Sequence, residues 1–386
     1  DMAGRFDYVM ANPPFNVDKV KAESTQNAGR LPFGLPGVNQ KKEVSNANYL
    51  WISYFYAYLN DSGRAGFVMA ASATDSGNKD REIRKQLIQT GHVDCLMSVA
   101  NNFFYKVSLP CSLWFFDKGK KEELKDKVLF IDSRNYYTVV DRTLNEWSEW
   151  QMKNLNAIVW LYRGEKEKYT KLLQDYRTQI INDCRELDAA FESVSILLNG
   201  YGEKLKPLRV QISDIVKISE DINQLLPLND LLKKYTTELN ASLKALCEYG
   251  GGLEKDEVKE FAKSIDETAT TWDRFKKSVS TRIEEVVSQI KACRTVIKEA
   301  KWLTEKFGDG IYTDVLGLCK VATLNEIEEK NWSLTPGAYV GVAPVEEDDE
   351  NFEERMTEIH KELLTLQAEA NQLMDTISAN FEELGI

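Results

Sequence analysis

Apolar and polar positions along the chain divide it into two styles, with a change beyond about Arg142. In the first part short apolar runs alternate with helix-spaced stretches. Tyr8 to Ala11 is predicted to be a buried strand, stopped at Asn12-Pro13-Pro14, which no regular element tolerates. A polar stretch punctuated by Gly and Pro, from Asn16 to Asn46, is long enough to be a functional loop. The aromatic-rich run Tyr49 to Leu59 is predicted to be helical, and Ser62-Gly63 turns the chain into a second strand, Ala65 to Met69. Lys79 to Thr90 places Ile83, Leu87 and Ile88 on one helical face, with Gly91 suited to its C-terminal cap. Val93 to Met97, Ser112 to Phe116 and Val128 to Ile131 complete the strands. Such alternation predicts an α/β fold with a mostly parallel sheet covered on both faces.

From Glu165 to Phe307 long helical patterns dominate, separated by Asn199 to Gly202, by Leu226-Pro227 and by Gly250 to Gly252. An inserted helical hairpin or small bundle is the simplest account. Trp332 to Val340 is predicted to be a turn-and-strand element, and the acidic run Glu346 to Glu350 a solvated linker. In the final helix Phe352, Met356, Ile359, Leu363, Leu366, Ala370, Leu373 and Ile377 recur at alternating spacings of four and three. This heptad seam is suited to lengthwise packing, against a partner's helix or against the inserted helices. The expected domains are therefore 1–145, 146–330 (helical) and 331–386.

Composition narrows the functional classes. A hydrophobic fraction of 43% and a charged fraction of 28% suit a soluble globular chain of 386 residues, long enough for two or three domains. No apolar run is long enough to span a membrane, and Asp1 to Asp7 has no signal-peptide character. The six scattered cysteines read as free thiols of a reducing cytoplasm, and with two histidines no metal site is expected. A net charge of −12 argues against a broad basic face for nucleic acid, so a partner should supply attraction to DNA if DNA is the substrate.

The candidate chemistry is Asn12-Pro13-Pro14-Phe15, directly after the first strand. A proline-rich turn without a chemical role is one reading of it. The other follows from methylation of an exocyclic amine. The lone pair of adenine N6 is delocalised into the ring, so two acceptors aimed at its N–H groups favour pyramidal geometry and offset the developing positive charge. The Asn12 side-chain carbonyl and the Pro13 main-chain carbonyl are the candidate acceptors, pre-oriented by successive prolines. Phe15 is suited to stack on a base extruded from the duplex. No general base is required, because the cationic product can lose its proton to water.

Asn-Pro-Pro-Phe resembles motif IV of amino-methyltransferases in general, some of which modify protein glutamine. Its context is more specific. Tyr8 to Asn16 (YVMANPPFN), Phe33-Gly34, Asn46 to Trp51, Gly63 to Val68, Glu82 to Leu87, Phe103 to Tyr105, Leu109 to Lys118 and Leu129 to Arg134 form an ordered series. It resembles the catalytic domain of the modification subunits of type I restriction-modification systems. Leu334 to Val340 resembles a family element more weakly, with Gly337-Ala338 where a basic residue is common.

The resemblance implies part of a Rossmann-like methyltransferase domain followed by a long-helix region. It also implies transfer of a methyl group from S-adenosyl-L-methionine to adenine N6 in DNA. Implied partners are a specificity subunit that reads the DNA and receives the C-terminal helices, a second modification subunit and a restriction subunit. The implied catalytic residues are Asn12, Pro13, Pro14 and Phe15, with Asn12 also near the cofactor. No Asp/Asn-Pro-x-x-Gly-x-Gly segment occurs in the 386 residues. Its place in the family is upstream of motif IV, so the chain is read as lacking its N-terminal part and as inactive alone.

Lys19, Lys21 and Arg30 follow the motif and are candidates for phosphate contact, as are Lys41-Lys42, with solvated side chains the alternative. Asp132, Ser133 and Arg134 fit a structural salt bridge as well as a functional role. Trp147, Trp150 and Trp160 are expected to pack the junction between sheet and helices. Two other functions remain open: a solitary adenine or protein-glutamine methyltransferase, and a non-catalytic helical scaffold.

Overall fold

The computed structural model describes residues 2–104, 108–266 and 271–343, together with positions 356, 359, 360, 363, 364, 366–368, 370, 371, 373, 374 and 377. The order begins β1 (Phe6–Ala11), β2 (Val20–Lys21), α1 (Ala22–Gln26), β3 (Glu43–Val44), α2 (Asn48–Tyr58) and β4 (Leu59–Ala70). It continues with α3 (Asn78–Gln89), β5 (Val93–Val99), β6 (Cys111–Asp117), β7 (Lys127–Asp132), β8 (Thr138–Asp141) and β9 (Leu144–Glu146). The helices α4 (Glu149–Tyr162), α5 (Lys166–Leu197), α6 (Leu205–Ile218), α7 (Leu228–Gly251), α8 (Lys255–Ile265) and α9 (Trp272–Phe307) follow. The chain then forms β10 (Cys319–Thr323), α10 (Leu324–Glu329) and α11 (Gly337–Val340).

A six-stranded sheet of order β1-β4-β6-β5-β7-β10 organises the first unit, residues 1–342. Four strands, β1, β4, β5 and β7, point one way, while β6 and β10 run against them. This is the expected α/β architecture with a mostly parallel sheet. Side-chain alternation divides the sheet between two cores. Cys95, Met97, Leu129 and Ile131 face a core shared with α4 and the long helices. Leu96, Val128 and Phe130 face the core shared with α2 and α3. Burial on both faces explains why these strands read as continuous apolar runs.

β1 departs from expectation. It was predicted to be buried, yet Tyr8 is 74% and Met10 89% exposed. Only Val9 and Ala11 pack against the core, because β1 lies at the sheet edge and pairs, among the described residues, with β4 alone.

The long helices are written in their sequence. In α5 the buried positions Tyr169, Leu172, Tyr176, Ile180, Cys184, Leu187, Phe191 and Val194 recur at spacings of three and four. α9 repeats this with Phe275, Val279, Ile283, Val286, Ile290 and Cys293, and packs lengthwise against both α5 and α7. Gly250 lies inside α7 rather than in a linker: a Cβ there would fall 1.9 Å from the Trp272 ring. A buried polar cluster ties this bundle to the sheet. Asn154 on α4 donates to the Tyr136 hydroxyl and to the Glu299 carboxylate of α9, and accepts from Tyr176 of α5. Trp147, Trp150 and Trp160 pack along the same junction, as expected.

After the helices the chain returns to the sheet. β10 pairs antiparallel with β7, and Trp332, Leu334, Tyr339 and Val340 enter the core of the α2/α3 face. Tyr339 stacks on Phe130 with centroids 3.9 Å apart. The first compact unit thus runs to Val342 and includes this returning segment. Gly337–Val340, expected as a strand, is a helical turn, since Pro336 at φ −52° sets the backbone for a helix start.

The second unit, 343–386, is described at few positions, all helical in its final segment. Met356, Ile359, Leu363, Leu366, Leu373 and Ile377 are each at least 41% exposed, whereas Phe352 lies outside the described residues.

At the end of the sheet where β5 begins, Lys120 is buried between Asp94 and the carbonyls of Val93 and Lys127. Burial lowers its ammonium to about 8, against the pull of Asp94. The unfolded chain, with an ordinary lysine, therefore binds more protons than the folded one between pH 8 and about 10.4, so stability should rise with pH across that window. Urea midpoints from pH 7.5 to 9.5 check this: the wild type should gain on a Lys120→Met variant, and parallel curves would refute it.

Candidate active site at the carboxyl end of the sheet

β1 ends at Ala11, paired with Phe67 of β4, and the chain leaves the sheet through Asn12-Pro13-Pro14-Phe15. In open α/β sheets the crevice beyond the carboxyl ends of the strands is where ligands bind. The same end carries the exits of β4, β5 and β7, hence Ala71–Thr74, Asn101 to Phe104 and Asp132 to Arg134.

Pro13 is buried and anchors the turn, while Asn12 and Pro14 are exposed. Among the described residues no hydrogen bond engages the Asn12 side chain or the Pro13 carbonyl. Phe15 is half-buried and meets Phe104, from the loop after β5, edge-on with centroids 6.4 Å apart. Immediately beyond, Asn16 has a left-handed backbone (φ 54°). Its N–H donates to Asn48 Oδ1 at 3.0 Å, and its own Oδ1 accepts from Asn46 Nδ2 (3.0 Å) and Asn48 Nδ2 (2.9 Å). Sequence reasoning used Asn46 to Trp51 only as part of the family series and missed this contact, which spans 32 positions.

The other candidates separate. Lys19 and Lys21 are exposed on the segment that follows, Lys19 beside Asp18. Arg30 donates to the Tyr58 hydroxyl at 2.7 Å and lies over the rings of Tyr54 and Tyr58, so its guanidinium is committed to α2. Lys41 and Lys42 are exposed. Arg134 grips Asp132 through two side-chain hydrogen bonds, which form the salt bridge that was one of the two readings of that trio. His92 precedes β5, at the opposite end of the sheet, where burial lowers its pKa and Tyr56 bonds its ring. Among the described residues of the first unit, no histidine lies at this turn. Nor, among them, is any group of three His, Cys, Asp or Glu side chains placed to hold a metal ion.

Residues 1–181 match the model of the N-6 DNA Methylase family. The type I restriction enzyme MjaIX methylase subunit of Methanocaldococcus jannaschii is 42% identical over 154 residues, 39% of this chain and 27% of that protein. The HindI methylase subunit of Haemophilus influenzae is 30% identical over 145 residues, 37% of this chain and 31% of that protein. A solved type I restriction-modification methyltransferase subunit from Streptococcus thermophilus is 22% identical, with 40% of this chain and 32% of that one covered at a TM-score of 0.36. The chain thus spans less than a third of the length of these two curated relatives. Over its first part it resembles type I modification subunits, as the motif series implied.

Proposed function

We propose that this chain is part of a type I modification subunit and that its Asn12–Phe15 turn receives an adenine for N6 methylation. The observation that carries the reading is the exposed Asn12 amide at the carboxyl end of β1, free of hydrogen bonds among the described residues. The Asn12 and Pro13 carbonyls accept the two N–H groups of the amine, and Phe15 holds the extruded ring. Pro13, buried beneath the turn, keeps both acceptors fixed during attack. When bound, S-adenosyl-L-methionine supplies an electrophilic methyl group on a sulfonium. Asn12 suits a neighbour of that methyl, and no other residue of this chain is assigned to the cofactor.

The proposal extends to architecture. Residues 1–145 supply the catalytic part, and the helices from 146 support it. The exposed seam of the final helix receives the specificity subunit, which supplies the grip on DNA that a net charge of −12 denies this chain. A second modification subunit and a restriction subunit complete the complex. The reading implies a cytoplasmic protein, and no helix among the described residues is long and apolar enough to cross a membrane.

The natural-length protein, purified with its specificity subunit, should transfer tritiated methyl groups to adenine in duplex DNA. Label found on protein glutamine, or none at all, overturns the reading. For the docking, Leu363→Glu with Leu366→Glu should release the specificity subunit on co-purification, because each carboxylate faces desolvation inside an apolar seam. Full retention counts against the assigned surface.

A further inference from the structure

We infer that Asn48 is a positioning residue for methyl transfer, holding the Asn12–Phe15 turn in register by locking Asn16 in its left-handed conformation. The inference rests on the function proposed above for that turn.

Asn48 is the first residue of α2 and only 2% exposed. Its side chain is spent on one neighbour: Oδ1 accepts from the Asn16 N–H, and Nδ2 donates to Asn16 Oδ1. Asn46 adds a second amide donor to the same oxygen, and Asn46 Oδ1 accepts from the Asn48 N–H at 2.9 Å. The Ala47 N–H bonds the Val17 carbonyl at 2.8 Å, extending the seam by one residue. These contacts converge on a backbone conformation that side chains other than glycine adopt at a cost. A buried amide left without its partner is costly too, so Asn16 and Asn48 stabilise each other's arrangement.

The anchor beneath is rigid, since Tyr49, Leu50 and Ile52 fix the start of α2 in the core. Little slack separates anchor from acceptors. Two of the three residues between Asn12 and Asn16 are prolines with fixed φ. A change at Asn16 is therefore carried to the Pro13 and Asn12 carbonyls instead of being absorbed. Misplacement of a reacting geometry by about 1 Å costs on the order of a hundredfold in rate.

The test uses the natural-length protein with its specificity subunit, measuring kcat, KM for DNA and for S-adenosyl-L-methionine, and thermal stability. Asn48→Ala should lower kcat by about tenfold to a hundredfold, with both KM values within about twofold of wild type. Asn16→Gly enters the left-handed region without strain and keeps the N–H that Asn48 accepts, but removes the acceptor of the Asn48 amide, so kcat should fall with only the modest loss of stability that one unsatisfied donor brings. Asn16→Asp retains the acceptor for both amides and should restore most of the rate. If Asn48→Ala does not fold, Asn16→Gly decides. An active wild type with kcat unchanged in Asn16→Gly, or with its loss confined to KM, overturns the positioning role and leaves the methyltransferase reading intact. A wild type that labels no DNA adenine overturns both.

Discussion

Replacing Asn12 by alanine is expected to lower methyl transfer to DNA by about a hundredfold to a thousandfold, the scale of removing one pre-organised group that meets developing charge. The effect should fall on kcat, because the proposed contact strengthens as the amine becomes pyramidal and cationic. Stability should change by no more than about 0.5 kcal/mol, since Asn12 is exposed and gives up no hydrogen bond among the described residues. Loss of rate without loss of fold separates chemistry from packing. Phe15→Ala provides a second measure: stacking worth roughly 1–3 kcal/mol should disappear, weakening retention of the flipped base. Tritium incorporation in the complex checks both, and wild-type rates in Asn12→Ala would refute the mechanism.

The largest stability effect is expected at Trp114. β6 lies inside the sheet between β4 and β5, and the Trp114 ring is fully buried there. It stacks against Phe67 at 6.1 Å, meets Tyr49 edge-on at 6.4 Å, and donates its indole N–H to Ser112 Oγ at 2.9 Å. Alanine removes these contacts and leaves a cavity that flanking strands cannot close, a loss of roughly 3–5 kcal/mol. Trp114→Phe should lose much less, retaining most of the ring contacts. Urea unfolding followed by circular dichroism measures the difference. A loss under about 1 kcal/mol for alanine would refute the close packing of Trp114 in this core.

Strands buried on both faces were legible because they are almost wholly apolar, as in Val128 to Ile131 and in Val93 to Met97, where only the buried Asp94 interrupts the run. Tyr8 to Met10 has the same apolar character but ends the sheet of this chain, where Tyr8 and Met10 are exposed, because burial of a strand depends on neighbours that its own pattern cannot encode. β10 was missed for a related reason. Cys319–Thr323 is short, carries Lys320 as its second residue and, among the described strands, pairs with β7 only, so alternation over five residues barely registers. The long helices were clear because tens of residues repeat one spacing. At the candidate site the motif itself was visible, whereas its clamp was not. Hydrogen bonds between Asn16 and Asn48 follow loop geometry, which leaves no periodic trace in composition.

The return of β10 to β7 bears on how the molecule assembles. Lys127–Asp132 and Cys319–Thr323 are joined by most of the helical region, so their pairing closes a very long segment of chain. Closing such a loop in an unstructured chain sacrifices entropy before any contact rewards it. Once α5 and α9 have zipped together, the two chain ends are already delivered side by side. The coil of helices is then the folding jig for the last strand, and a lesion at its distal tip should delay completion of a sheet it never touches.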